Sequence, residues 1–212
     1  MASPVVSVVD VSSSIWTPDT QAVLLAPVTV DLHPGTLVAV SGPSGSGKTT
    51  LCNIVIGWER GDTGSVRWAD DAAQRWARLA VAPQRLALLH SLDIRENLAS
   101  PFWSSGIDVP EAELGPSRGR LTSTYSCAAG HRRSFSEQQR AAIARALLGS
   151  PRLAVLDEPT GHQGEARATL VIDAMVAAKS NGTCVLEATH DSDIIAAADE
   201  LLPPRPSSSS SP

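Results

Sequence analysis

Aromatic residues are scarce in this chain: two Phe, one Tyr and five Trp, 4% of 212 residues. Stacking platforms for single-stranded nucleic acid need more rings than that. A positive surplus is also missing, since 17 Lys and Arg face 22 Asp and Glu for a net charge of −5. Nucleic-acid binders show a basic excess, so that partner class is excluded. Lysine itself is almost absent: 15 of the 17 basic residues are Arg, a bias that fits a GC-rich coding sequence better than any chemistry. The three cysteines, Cys52, Cys127 and Cys184, are far apart and odd in number. They fit neither a disulfide framework nor a zinc site, and read as small reduced hydrophobes of a cytosolic protein. No apolar run is long enough to cross a bilayer. Met1-Ala2-Ser3-Pro4 lacks the basic start and apolar core of a secretion signal. A role at a membrane would therefore require another chain to hold this one there.

What is present is concentrated at residues 42–49, Gly42-Pro43-Ser44-Gly45-Ser46-Gly47-Lys48-Thr49, a full G-x-x-x-x-G-K-[ST] loop. Leu37-Val38-Ala39-Val40 before it reads as a buried strand, and Thr49 to Ile56 after it as a helix ending at Gly57. Strand, glycine loop and helix are the context in which this motif binds a nucleoside triphosphate. The glycines let backbone N–H groups turn inward around phosphates, and the helix N-terminus adds partial positive charge. Lys48 is placed to reach the β- and γ-phosphates, the Thr49 hydroxyl to ligate Mg²⁺, and Thr50 to follow on the same turn.

With 42% hydrophobic residues, the chain can bury one large core or a core with an inserted subdomain. Val5 to Val11 is read as a first strand followed by a loop rich in Ser, Thr and Pro, and Ala22 to Leu32 as a second β segment. Gly64 to Trp68 and Leu79 to Ala82 are further strands. From about 86 to 134 the texture changes to a helical and loop-rich insert punctuated by Pro101, Pro110 and Pro116. Glu137 to Leu148 is an amphipathic helix stopped by Gly149-Ser150-Pro151. Leu153 to Leu156 and Thr183 to Leu186 are buried strands flanking a helix from Gly164 to Ala178. Such alternation implies a mainly parallel sheet with helices on both faces. Pro203 to Pro212, with five consecutive serines, is expected to be a disordered tail beyond a domain of residues 1–202.

Leu153-Ala154-Val155-Leu156-Asp157-Glu158 is an apolar strand delivering two carboxylates at its C-terminal end. That edge of a parallel sheet is where a Mg²⁺-triphosphate sits, with Asp157 on the metal and Glu158 orienting the attacking water. Without a phosphate loop upstream, the same residues would be an ordinary strand and acidic turn. Thr189-His190-Asp191 follows another strand, which places His190 at the same edge.

In this order the motifs resemble the ATP-binding subunits of ABC transporters, over about residues 5–202. Gln84 in Ala82-Pro83-Gln84 matches the family's glutamine loop, and Glu96-Asn97-Leu98 the stretch beyond it. Gln139 to Leu147 is similar to the helix after the signature segment, and His190 to the switch histidine that contacts the γ-phosphate. Asp157-Glu158-Pro159-Thr160-Gly161 is similar to the lipoprotein-release, macrolide-export and cell-division branch. The resemblance implies an α/β P-loop NTPase with a mainly parallel sheet, a small antiparallel β subdomain and an inserted helical subdomain. It implies ATP and Mg²⁺ as ligands, with Gln84 serving both metal and catalysis. It also implies a second ATP-binding subunit in a homo- or heterodimer, a separate membrane permease, and a cytoplasmic position on the inner face of the membrane. Leu86, Leu88, Leu89 and Leu92 are then candidates for the permease-docking groove, with a core role as the alternative. The adenine-stacking position falls at Ile15, with Trp16 beside it.

The departures cluster in the segment offered to the partner. The family's signature Leu-Ser-Gly-Gly-Gln falls on Arg133-Ser134-Phe135-Ser136-Glu137, where only Ser134 is kept and Ser136 stands for a glycine. Backbone N–H groups that clasp a γ-phosphate need glycine to come close. Ser134-x-x-Glu137 also reads as a capping box, which would preserve the helix start while weakening the clasp. Past Gly161, Gly164 stands where the family has Asp, with Glu165 beside it. The alternative is a nucleotide-gated regulatory or interaction module with little turnover.

Overall fold

The computed structural model describes residues 2–16, 21–70, 78–84, 88–89, 91–105, 135–160 and 165–202. Side chains at 104–105, 135–137 and 165–167 lie outside that description. Eight strands and five helices occur among the described residues. In chain order these are β1 (Val6–Trp16), β2 (Gln21–Leu32), β3 (Leu37–Ser41), α1 (Lys48–Ile56), β4 (Thr63–Trp68), β5 (Leu79–Ala82) and α2 (Ile94–Ser105), then α3 (Phe135–Leu147), β6 (Leu153–Asp157), α4 (Glu165–Ser180), β7 (Cys184–Thr189), α5 (Ser192–Ala197) and β8 (Glu200–Leu202).

β3, β5, β6, β7 and β8 form a parallel sheet in the order β5-β6-β7-β3-β8. β3, β6 and β7 are almost continuously apolar and buried, as strands covered on both faces must be. Side chains alternate across the sheet, so each strand feeds two cores. One face packs Val38, Val40, Val155 and Leu186 against α1 and against Val6, Val8 and Leu32 of the outer sheet. The other packs Leu37, Leu156 and Val185 against α2, α3, α4 and α5 through Leu98, Ile143, Met175 and Ile194. The outer sheet is antiparallel, order β2-β1-β4, and it carries α1 between itself and the parallel sheet.

Two expectations need correction. β1 does not stop at Val11 but runs to Trp16, through the serines read as a loop. Those hydroxyls find cross-strand partners: Ser12 Oγ lies 2.8 Å from Thr63 Oγ1, and Ser14 donates its backbone N–H to Asp62 Oδ2 at 2.7 Å. The strand is thus held by polar pairs where it lacks apolar ones. Pro101 was read as the start of a loop-rich section, yet α2 runs through it to Ser105. Proline removes the N–H that would bond the Asn97 carbonyl, and the Ser100 hydroxyl donates to that carbonyl instead at 2.8 Å. α5 and β8 lie in a stretch where no element is expected from the sequence pattern. Residues 86–87, 90 and 106–134 of the proposed insert and the tail, residues 203–212, lie outside the described residues.

Candidate nucleotide site

The carboxyl ends of β3, β6 and β7 meet at one edge of the parallel sheet, and each delivers part of one cleft. The loop after β3 turns into α1 at Gly47, which caps the helix in the left-handed conformation at φ 87°. A side chain there would be doubly unfavourable, because its Cβ would collide with the Leu24 carbonyl oxygen of β2. The outer sheet therefore presses directly on the loop and fixes its path. Gly45 is also left-handed, at φ 80°.

Lys48 is buried and folds back over the loop, donating to the Gly42 carbonyl at 2.8 Å and the Pro43 carbonyl at 3.1 Å. Its ammonium also lies 3.8 Å from Glu158 Oε1. The Thr49 hydroxyl donates to Asp157 Oδ2 at 3.0 Å, tying the first turn of α1 to the end of β6. The other oxygen, Asp157 Oδ1, is buried without a hydrogen-bond partner among the described residues. Burial pushes the Asp157 carboxyl above its ordinary range, and the neighbouring Glu158 charge adds to this while the Thr49 hydrogen bond and Lys48 oppose it.

Glu158 follows β6 in a left-handed conformation, φ 50°. Its N–H donates to the Ala188 carbonyl of β7 at 2.9 Å, and its own carbonyl accepts from Gln139 Nε2 at 2.9 Å. His190, just past β7, places Nδ1 2.7 Å from Glu158 Oε2. The cleft encloses about 1070 Å³, at the upper end of small-molecule sites.

Gly42, Pro43, Ser44, Gly45, Gly47, Lys48, Thr49, Thr50, Gln84, Glu158 and His190, all singled out in the sequence, line the cleft together. Ser46 belongs to the loop but is buried and does not line it. Asp157 stands behind the lining, reached through Thr49. Trp16 lies at the end of β1, 76% exposed, and is not part of the lining. Ser134 and Gly164 lie outside the described residues, and of Ser136 only the backbone, in the first turn of α3, is described. Leu86 is also outside them. Leu88 packs against the second core, Leu89 is exposed, and Leu92 is half-buried. Two lining residues were not singled out, Leu24 and Gln139. Leu24 had no local signal, because a strand far from the loop in sequence brings it there. Gln139 was visible only as a polar residue on an otherwise small and apolar helix face.

Residues 25–161 match the family described as ABC transporter. The chain belongs to the ABC transporter family. Its sequence is 34% identical to a lipoprotein-releasing system ATP-binding protein of Pseudomonas fluorescens over 199 residues, 85% of this chain and 86% of that protein. It is 31% identical to a macrolide export ATP-binding/permease protein of Bradyrhizobium diazoefficiens over 215 residues, 95% of this chain but 33% of that protein. The chain thus spans about a third of the macrolide exporter's length. Among solved structures, a dimeric bacterial ABC transporter cassette superposes with TM-score 0.78 at 22% identity, covering 92% of both chains. The same cassette in a post-hydrolysis state bound to ADP and phosphate gives 0.76. At that identity the likeness establishes the fold, which is the ABC cassette fold.

Proposed function

We propose that this ABC-family chain is the ATP-binding, ATP-hydrolysing subunit of a transporter, acting on a separate membrane permease. One observation carries the reading: the ends of three strands bring Lys48, the Thr49–Asp157 pair and the Glu158–His190 pair to a single cleft. The loop N–H groups and Lys48 grip the triphosphate. The Thr49 hydroxyl and the Asp157 carboxylate it bonds, whose Oδ1 is buried without a partner among the described residues, are hard oxygen donors of the kind Mg²⁺ takes. Thr49 and Asp157 would hold the ion together with the bound triphosphate, since no group of three or more His, Cys, Asp or Glu is gathered among the described residues. When bound, the ion supplies positive charge to the β- and γ-phosphates. Glu158, steadied by His190, faces the position from which water attacks and accepts its proton. Gln84 lines the same cleft at the end of β5, and is exposed enough to move. The exposed Trp16 shares the β1–β2 hairpin with Leu24 and offers adenine a ring face.

Among the described residues no helix is long and apolar enough to cross a membrane. The permease carries the transport path, and the chain sits against the inner face of the membrane through it. A second ATP-binding subunit closes over the cleft. The decisive experiment is ATP binding and hydrolysis by wild type and Glu158→Gln. The variant should bind ATP as tightly as wild type while hydrolysis falls about 10²–10⁴-fold, the usual contribution of a general base. Unchanged hydrolysis would remove Glu158 from the reaction.

A further inference from the structure

Glu158 holds its carboxylate between Lys48 and His190 from a backbone that two local preferences oppose. A non-glycine residue at φ 50° lies in the left-handed region, where its Cβ crowds the backbone. The following residue is Pro159, and a residue before proline favours extended geometry. The conformation persists only if neighbours over-determine it. The sheet supplies one restraint through the Glu158 N–H to Ala188. A second comes from a side chain: Gln139 Nε2 donates to the Glu158 carbonyl at 2.9 Å. Gln139 is itself only 6% exposed, and the helix carrying it is anchored by buried Ala141, Ile143, Ala144 and Ala146. Its amide lines the nucleotide cleft yet is directed to the protein backbone.

We propose that Gln139 is a positioning residue for ATP hydrolysis, holding Glu158 in the left-handed conformation that keeps its carboxylate in the cleft. The inference rests on Glu158 as the group that accepts the water's proton. Without the amide donor, the Glu158 peptide relaxes toward the extended form that Pro159 favours, and the carboxylate leaves its place between Lys48 and His190. Phosphate binding by the loop and Lys48 is untouched. Chemistry should therefore suffer while affinity does not.

The test is single-turnover ATP hydrolysis by the full chain in excess over Mg·ATP, with ATP affinity measured by equilibrium titration. Gln139→Met keeps length but cannot donate, and should lower the hydrolysis rate about 10–100-fold, the scale of a misplaced catalytic group. Its ATP dissociation constant should stay within about twofold of wild type, which also shows that the variant is folded. Gln139→Glu keeps the shape and should lose rate at neutral pH. It should regain rate relative to wild type as pH falls, because a protonated carboxyl can donate. Combined with Glu158→Gln, Gln139→Met should cost nothing further, since it acts through that carboxylate. A wild-type rate in Gln139→Met, a parallel fall in affinity, or multiplying losses in the double variant would each overturn the proposal. If Glu158→Gln alone leaves the rate unchanged, or wild type turns over no ATP, the catalytic reading itself fails and the proposal falls with it.

Discussion

Glu187 is a carboxyl in the wrong solvent. It lies on β7, the middle strand of the parallel sheet, opposite Ala39 and Leu156, and is fully buried. Burial is the main cause that pushes its carboxyl well above the ordinary range. The charges of Asp191 and Glu158 add to this, and the Thr189 hydroxyl opposes it. A carboxyl raised in the folded state gives stability that is fully present below the unfolded-state value, about 4.3 for Glu. That stability is lost as pH rises toward and through the folded-state value. Glu187→Gln removes the titration. Compared by urea unfolding across the pH range, variant and wild type should keep a constant difference below about pH 4. Above it the variant should gain by up to about 1.4 kcal/mol per pH unit until the native carboxyl ionises. A difference that does not change with pH would place the charge state of Glu187 elsewhere. Cys52 shows the same physics without the consequence: burial, then the Asp157 and Glu187 charges, push its thiol far up, so it is an inert filler of the core.

At the scale of elements, α2 depends on one buried amide. Asn97 is 2% exposed; its Oδ1 accepts from the Leu89 N–H at 2.8 Å, and its Nδ2 lies within 3.1 Å of the Leu89, Leu92 and Asp93 carbonyls. The helix start is closed by a reciprocal pair, Glu96 N–H to Asp93 Oδ1 and Asp93 N–H to Glu96 Oε2. Leu89, Leu92 and Asp93 are therefore pinned by a side chain of the helix they precede. Asn97→Leu keeps the volume but leaves the Leu89 groups without their partner. It should cost about 1–3 kcal/mol in denaturant unfolding, and hydrogen exchange should speed at Leu89 more than in β6 or β7. Equal exchange throughout would show that the segment is held by something else. The Ser100 hydroxyl that serves the Asn97 carbonyl explains why Pro101 does not end the helix.

At the scale of the whole molecule, the groups proposed to grip phosphate and activate water gather at one edge of the parallel sheet. Residues 133–137, which in the proposed dimer would meet the partner's nucleotide, carry a ring, a hydroxymethyl group and a carboxylate where close backbone approach needs glycine. The isolated chain should therefore bind ATP and turn it over slowly. Replacing Phe135 and Ser136 by Gly should raise the steady-state rate without changing ATP affinity, measured by phosphate release against protein concentration. No gain would place the limit in the cleft itself. A partner supplying an intact segment should give the same acceleration to wild type.

The glycine loop, the acidic strand end, the place of His190 past β7 and the parallel α/β class were legible in the sequence. Each rests on a short contiguous pattern: glycines a fixed number of residues apart, or an apolar run that ends in carboxylates. β1 beyond Val11 was not legible, because Ser12, Ser14 and their partners at 62 and 63 are joined only by pairing across strands. The pressure of Leu24 on Gly47 and the bond from Gln139 to Glu158 join residues 23 and 19 positions apart, and no local pattern encodes them. The sequence by itself determined which residues can meet a triphosphate. The tertiary structure decided which others hold them still, because contacts between distant segments exist only once the sheets and helices have packed.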